Sequence, residues 1–168
     1  MIYEITPQVG YGPIKFGMSS TDVHNILGRP TKVETAVSEC ETDEEELKHY
    51  GNHHFEWFGK IFPDPTNPQL TFIHNKVAGV TIFKQSGSLV YMGMDLHKKK
   101  IRQDVLEVLA GDEEIYYENT RHYFFPKSGL IVPKVEHMKR FFFIQLVLTE
   151  NQVPHLEFEM YEPSTALD

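Results

Sequence analysis

The sequence has one cysteine, Cys40, and one tryptophan, Trp57, among its 168 residues. A single cysteine excludes a disulfide within the chain, so we expect a free thiol in a reducing compartment. Positive charge is also scarce, because 16 Lys and Arg stand against 24 Asp and Glu and give a formal net charge of −8. Nucleic acids and anionic membranes attract positively charged proteins, so neither is expected as the main partner.

Long apolar segments are absent as well. No hydrophobic run approaches the roughly 20 residues that a membrane-spanning helix needs. The N-terminal residues Met1–Glu4 show neither the basic nor the apolar region of a signal peptide. These features predict a cytoplasmic protein. The 40% of hydrophobic and 12% of aromatic residues predict a folded core.

A first helix is predicted over residues 19–28. Ser19 and Asp22 have the spacing of a capping box, in which each side chain accepts a hydrogen bond from the other's backbone. Gly28 can take the left-handed conformation that ends a helix. The apolar stripe of this helix consists of Val23, Ile26 and Leu27.

A second helix is predicted over residues 96–110, with Asp95 as its cap and Gly111 at its end. Most of the remaining sequence has the pattern of strands. One hairpin is expected to turn at Asn75–Lys76 and another at Pro126–Gly129. The predicted core consists of Phe16, Val23, Ile26, Leu27, Phe72, Val80, Ile82, Ile101, Val105, Leu109, Phe142, Ile144, Leu146 and Phe158.

The dipeptide Gly17-Met18 precedes the first predicted helix, and Gly93-Met94 precedes the second. This echo predicts two related units, one over residues 10–85 and one over 89–162. Each unit would place a helix on antiparallel strands, because the short hairpin loops cannot make parallel crossovers. The predicted fold is therefore α+β, with two helix-on-sheet units in tandem and their sheets joined into one compact domain.

The segment around the first helix resembles the opening of a group of small bacterial cytosolic proteins of unassigned role. It is also similar to the unit shared by SmpA-type outer-membrane assembly lipoproteins and tandem β-lactamase-inhibitor proteins. The resemblance implies an inhibitor-like fold and binding in place of catalysis. The chain lacks the lipid-acceptor cysteine and the disulfides of those proteins. The residues that carry the resemblance are Gly12, Pro13, Ile14, Phe16, Gly17, Met18, Ser19, Val23, Ile26, Leu27, Gly28 and Pro30.

Six acidic residues and no basic ones occur between Glu39 and Leu47. Such a run is typical of a solvated loop, but it can also attract a basic protein and speed association. Aromatic residues that an interface would use as anchors follow it closely. The binding residues predicted on this basis are Glu44, Glu45, Glu46, Tyr50, Trp57 and Phe58.

The histidines His49, His53 and His54 form the densest group of potential metal ligands. Helical spacing would let the first two share a metal, but Gly51-Asn52 lies between them and disfavours a continuous helix. They are therefore weak candidates, and no cofactor is predicted. Cys40 lies between Glu39 and Glu41, whose negative charges oppose thiolate formation and make it a poor nucleophile.

Two functions remain open. The favoured one is a non-enzymatic cytoplasmic module that binds another protein, for which a basic protein is one candidate, as an immunity-type or inhibitory protein does. The alternative is a metal-dependent enzyme that uses a histidine–carboxylate cluster near residues 44–56. No motif of a known catalytic class decides between them, and the oligomeric state stays open.

Overall fold

A computed structural model describes parts of both halves of the chain. The described residues are 4–35, 53–61, 67–83, 90–96, 103–118, 122–133, 143–147 and 159–160. Within them, two helices of eight residues each accompany one large antiparallel sheet and two small ones.

The first half begins with a small antiparallel sheet of three short strands, followed by a helix and a four-stranded meander. The small sheet consists of β1 (Ile5–Thr6), β2 (Gly10–Tyr11) and β3 (Ile14–Lys15). Helix α1 spans Ser20–Leu27. The meander consists of β4 (Lys32–Thr35), β5 (His53–Trp57), β6 (Gln69–Ile73) and β7 (Lys76–Phe83).

The second half has a two-stranded ribbon, a helix and five further strands. The ribbon pairs β8 (Val90–Tyr91) with β9 (Met94–Asp95), and helix α2 spans Gln103–Ala110. The remaining strands are β10 (Tyr116–Glu118), β11 (His122–Phe125), β12 (Leu130–Pro133), β13 (Phe143–Val147) and β14 (Glu159–Met160).

One nine-stranded sheet runs through both halves in the order β14-β10-β11-β12-β13-β7-β6-β5-β4. Every neighbouring pair is antiparallel. Strands β7 and β13 join the halves, with Gly79 opposite Val147 at one end of the pair and Phe83 opposite Phe143 at the other. Backbone hydrogen bonds therefore make the two meanders a single sheet.

The structure corrects the predicted fold class. Antiparallel pairing is confirmed, but the tandem arrangement of inhibitor-like helix-on-sheet units is wrong. The reason is that the described helices span only eight residues each, while strands of both halves form one nine-stranded sheet, so antiparallel strands dominate the architecture. The predicted boundary, between residues 85 and 89, lies within the segment 84–89, which is outside the described part of the chain.

The Gly-Met echo also fails as a structural repeat. Gly17 lies between β3 and α1, where its N–H donates to the Val77 carbonyl at 2.9 Å. Gly93 instead follows Met92 in the turn of the β8–β9 ribbon, and both residues have positive φ. The same dipeptide therefore occupies two different structural positions.

The predicted capping box of α1 is confirmed. The Ser19 hydroxyl accepts from the Asp22 N–H, and the Asp22 carboxylate accepts from the Ser19 N–H, both at 3.2 Å. Gly28 follows the last helical residue with φ of 84°. The predicted end of the second helix is also confirmed, since α2 ends at Ala110 and Gly111 has φ of 61°.

The turn between β6 and β7 lies one residue earlier than predicted. Ile73 pairs with Lys76, so the two-residue loop is His74–Asn75. Both have positive φ, 49° and 59°, which is the backbone of a type I′ turn. Such a turn matches the twist of the two strands that it joins.

The core lies between the large sheet, the helices and the small strands. Val23, Phe72, Val80, Ile82, Val105 and Leu109 are buried as predicted, and Phe16 and Leu27 pack against them partly buried. The prediction for Ile26 is wrong, because this side chain is 40% exposed. Ile101, Phe142 and Phe158 lie outside the described residues, and the side chains of Ile144 and Leu146 lie outside the described part too.

Candidate functional site

Strand β5 presents two different surfaces, because alternate residues of a strand point to opposite faces of the sheet. His54 and Glu56 project toward the face that α1 covers. The neighbouring α1 residue Val23 is fully buried, and His24 of the same helix reaches Glu56. Trp57 projects to the other face, which we call the outer face.

The helix face carries a cluster that we call the His–Glu–His cluster, formed by His24, Glu56 and His54. The Nε2 atom of His24 lies 2.6 Å from Oε1 of Glu56, and Nε2 of His54 lies 3.1 Å from Oε2. Glu56 is only 2% exposed, whereas both histidines are partly exposed. An ionised carboxylate can only accept hydrogen bonds, so each imidazole donates from Nε2.

Aromatic rings hold both imidazoles in place. His54 stacks on Phe72, with ring centroids 4.7 Å apart and an angle of 5° between the planes. The ring of His24 meets Phe58 edge to face at 6.2 Å. The aromatic contacts and the hydrogen bonds together fix the orientation of the two imidazole rings. The hydrogen bonds also offset the free-energy cost of removing the Glu56 carboxylate from water.

The cluster joins α1 to β5 through its two hydrogen bonds. Among the described residues, no group of three or more His, Cys, Asp or Glu is arranged to hold a metal ion. The short distances within the cluster are those of hydrogen bonds, and both carboxylate oxygens are already engaged. The cluster therefore acts as a buried hydrogen-bonded link between the helix and the sheet.

The outer face carries an aromatic pair. Trp57 stacks on Phe83 with ring centroids 5.9 Å apart and an angle of 16° between the rings. Both residues are partly exposed, as are Phe55 on β5 and Ile73 on β6. The indole Nε1 is buried and has no hydrogen-bond acceptor within the described residues. The N–H group of this indole is therefore inaccessible from solvent.

The structure separates the residues that the sequence grouped together. Phe58 is buried in the core, and Trp57 belongs to the aromatic pair on the outer face. His54 joins the His–Glu–His cluster, while His53, its neighbour along the strand, is buried and directed to the opposite face. The other predicted residues, Glu44, Glu45, Glu46, His49 and Tyr50, lie outside the described part.

Sequence reasoning missed His24 and Glu56. The spacing His54-x-Glu56 on a strand was the available clue, because residues two apart share a face. No such spacing points to His24 on α1, because it lies 32 residues from Glu56 in the sequence.

No protein-family model matches the sequence, and no curated protein matches it either. The fold is similar to the crystal structure of an extracellular protein containing a SCP domain from Bacillus anthracis str. Ames. That likeness has a TM-score of 0.53 at 11% identity, over 88% of this chain and 49% of the other.

A cysteine-rich secretory protein from Staphylococcus aureus subsp. aureus Mu50 gives a TM-score of 0.49 at 11% identity, over 100% of this chain and 57% of that one. The chain thus spans about half the length of these solved structures.

These comparisons correct three earlier expectations. The likeness is to an extracellular protein with a SCP domain, so the immunity-like and tandem-repeat descriptions are not supported. The expected cytoplasmic location is left without support for the same reason. Within the described residues, no helix is long and apolar enough to cross a membrane.

Proposed function

We propose that this chain is a non-catalytic module that binds a basic protein on the outer face of its sheet. The observation that carries this proposal is the stacked pair of Trp57 and Phe83, which remains partly exposed. Aromatic side chains, and tryptophan above all, contribute strongly to protein–protein affinity, because they bury a large area with little loss of rotamer freedom.

The neighbouring side chains enlarge this apolar surface. Phe55 lies two residues before Trp57 on β5, so both occupy the same face. Gln69 is the register partner of Trp57, and Thr81 is the register partner of Gln69, so both polar residues lie on the outer face beside the aromatic pair. An apolar centre with polar neighbours is the usual composition of a binding patch.

Charge favours a basic partner. The net charge of −8 attracts positively charged proteins, and the acidic run Glu39–Glu46 belongs to the segment that connects β4 to β5. Attraction of this kind raises the association rate and weakens as salt screens it.

The alternative of a metal-dependent enzyme has less support. Of the histidines on which it was based, His54 is hydrogen-bonded to Glu56, and that carboxylate already accepts two hydrogen bonds. The His–Glu–His cluster is satisfied internally, which favours a structural role for it.

A capture experiment tests the binding proposal. The immobilised wild-type chain is compared with a Trp57→Ala/Phe83→Ala double variant and with Ile26→Ala, which removes an exposed apolar side chain from α1. We expect a basic protein to be retained by the wild type and by Ile26→Ala but lost with the double variant. Circular dichroism verifies that each variant is folded.

The captured protein is then purified and titrated, using the fluorescence of Trp57, the single tryptophan, as the signal. The association rate constant should fall as the salt concentration rises. Equal capture by the wild type and the folded double variant, or an acidic protein bound independently of salt, would contradict the proposal.

A further inference from the structure

Strand β4 ends the large sheet. It pairs with β5 on one side, and in the described ranges no strand pairs with its other side. An edge strand presents unpaired N–H and C=O groups that can pair with another strand. The side chains of β4 determine which strand can pair there.

The side chains of β4 are complementary to themselves. Lys32 and Glu34 flank Val33, and they form an ion pair along one face of the strand. Val33 projects to the opposite face and is 55% exposed. Proteins often protect an edge with like charges, which repel an incoming strand. Here the two charges have opposite sign and stand symmetrically about an apolar residue.

We propose that a second copy of this chain docks on β4, with the two β4 strands antiparallel about a twofold axis at Val33. In that register Val33 lies opposite Val33 of the other copy. Lys32 of each copy then lies opposite Glu34 of the other, so two cross-strand ion pairs form at once. Opposite charges in directly facing positions stabilise an antiparallel pair, and like charges destabilise it.

The faces of the sheet are compatible with this pairing. Val33 is in register with Glu56, so it shares the helix face, and the two valines would meet there. Lys32 is in register with Trp57, so the ion pairs would form on the outer face, at its margin. Such a contact is isologous, and its closed twofold symmetry limits assembly to a dimer.

Because the paired edge is short, the dimer should be weak, and it is best measured by analytical ultracentrifugation from about 10 μM to about 1 mM protein. We expect the wild type to show reversible dimerisation that weakens with added salt. Lys32→Glu places two acids opposite each other, and Glu34→Lys places two lysines opposite each other. Each variant alone should dimerise at least about tenfold more weakly.

Mixing the two variants separates pairing between copies from effects within one chain. Lys32→Glu supplies two acids and Glu34→Lys supplies two bases, so the mixture should form a heterodimer that is tighter than the weakened homodimer of either variant. The exchanged double variant Lys32→Glu/Glu34→Lys should dimerise like the wild type. Val108→Ala, which alters an exposed residue of α2 in the other half of the chain, serves as the control.

A wild type that stays monomeric to about 1 mM would overturn the proposal. So would dimers that survive both charge substitutions, or folded single variants that fail to associate when mixed. The outcome does not depend on the capture experiment, because the dimer is measured with this chain alone and leaves Trp57 and Phe83 unchanged.

Discussion

His24 on α1 and Glu56 on β5 are joined by a hydrogen bond of 2.6 Å, although 32 residues separate them in sequence. It joins the short helix to the sheet through a carboxylate that is almost completely buried. A helix of eight residues is not stable alone, so such tertiary contacts hold it in place.

A double-mutant cycle should measure this link. We expect His24→Ala and Glu56→Gln each to lower the free energy of unfolding by about 1–2 kcal/mol, because each removes one partner of a charge-assisted bond. Their effects should fall short of additivity by about 1 kcal/mol. Urea denaturation gives all four values, and additivity within about 0.3 kcal/mol would show that the two side chains act independently.

Gly10 cannot be replaced without moving the backbone. An added Cβ would lie 2.1 Å from the Ile14 carbonyl oxygen and 2.9 Å from Cα of Lys15, both on the facing strand β3. We expect Gly10→Ala to cost more than about 2 kcal/mol, since neither atom belongs to a flexible side chain. Thermal and urea unfolding measure the loss.

Gly93→Ala is the matched control, because Gly93 also has positive φ but its added Cβ would meet nothing within 4 Å. Only backbone strain acts there, so the cost should be about 1 kcal/mol. Equal losses at Gly10 and Gly93 would show that the close approach of β2 and β3 is not the cause.

The β6–β7 turn should respond in opposite directions to two substitutions of Asn75. Glycine adopts positive φ without strain and is the preferred second residue of a type I′ turn, so Asn75→Gly should stabilise the protein by about 0.5 kcal/mol. Alanine tolerates this backbone less well than asparagine, so Asn75→Ala should destabilise it by about 1 kcal/mol. Changes of the same sign in urea unfolding would contradict the assignment of His74–Asn75 as the turn.

Tyr91 should make stability sensitive to alkaline pH. Burial raises the pKa of its phenol, and the negative charge of Glu113 raises this pKa further. Because the folded state retains the proton at a pH where the unfolded state has released it, the stabilisation is complete below the unfolded pKa of about 10. It is lost as pH rises toward the folded value.

The free energy of unfolding should therefore fall more steeply above pH 10 in the wild type than in Tyr91→Phe. The other tyrosines and the lysines contribute equally to both slopes, so their contributions cancel when the two proteins are compared. Parallel slopes between about pH 9 and pH 11 would contradict a buried, titrating Tyr91.

Local features were the most predictable part of this chain. Ser19, Asp22 and Gly28 act through their own backbone neighbours, and their roles in α1 were evident from spacing alone. The β6–β7 hairpin was also evident, but its turn was misplaced by one residue, because His74 gave no sign that it would adopt positive φ. Ile26 was misassigned because a narrow contact with the sheet buries Val23 and leaves the edge of the stripe in solvent.

Long-range features were not predictable in this way. The pairing of β7 with β13 depends on two strands from different halves, and nothing local to either strand specifies its partner. Glu56 appears as a polar residue in an aromatic strand, which by itself predicts a solvent-exposed face. Its burial depends on the hydrogen bonds from His24 and His54, which the sequence of the strand alone does not reveal.

The junction between β7 and β13 also bears on the order of folding. Hairpins such as β6–β7 and β11–β12 close short loops, so they can form early and at low entropic cost. The β7–β13 pair joins residues that lie 60 to 68 positions apart in the chain, and contacts of this range slow folding. We expect the two meanders to fold first and independently. The pairing of β7 with β13 should then be the rate-limiting step.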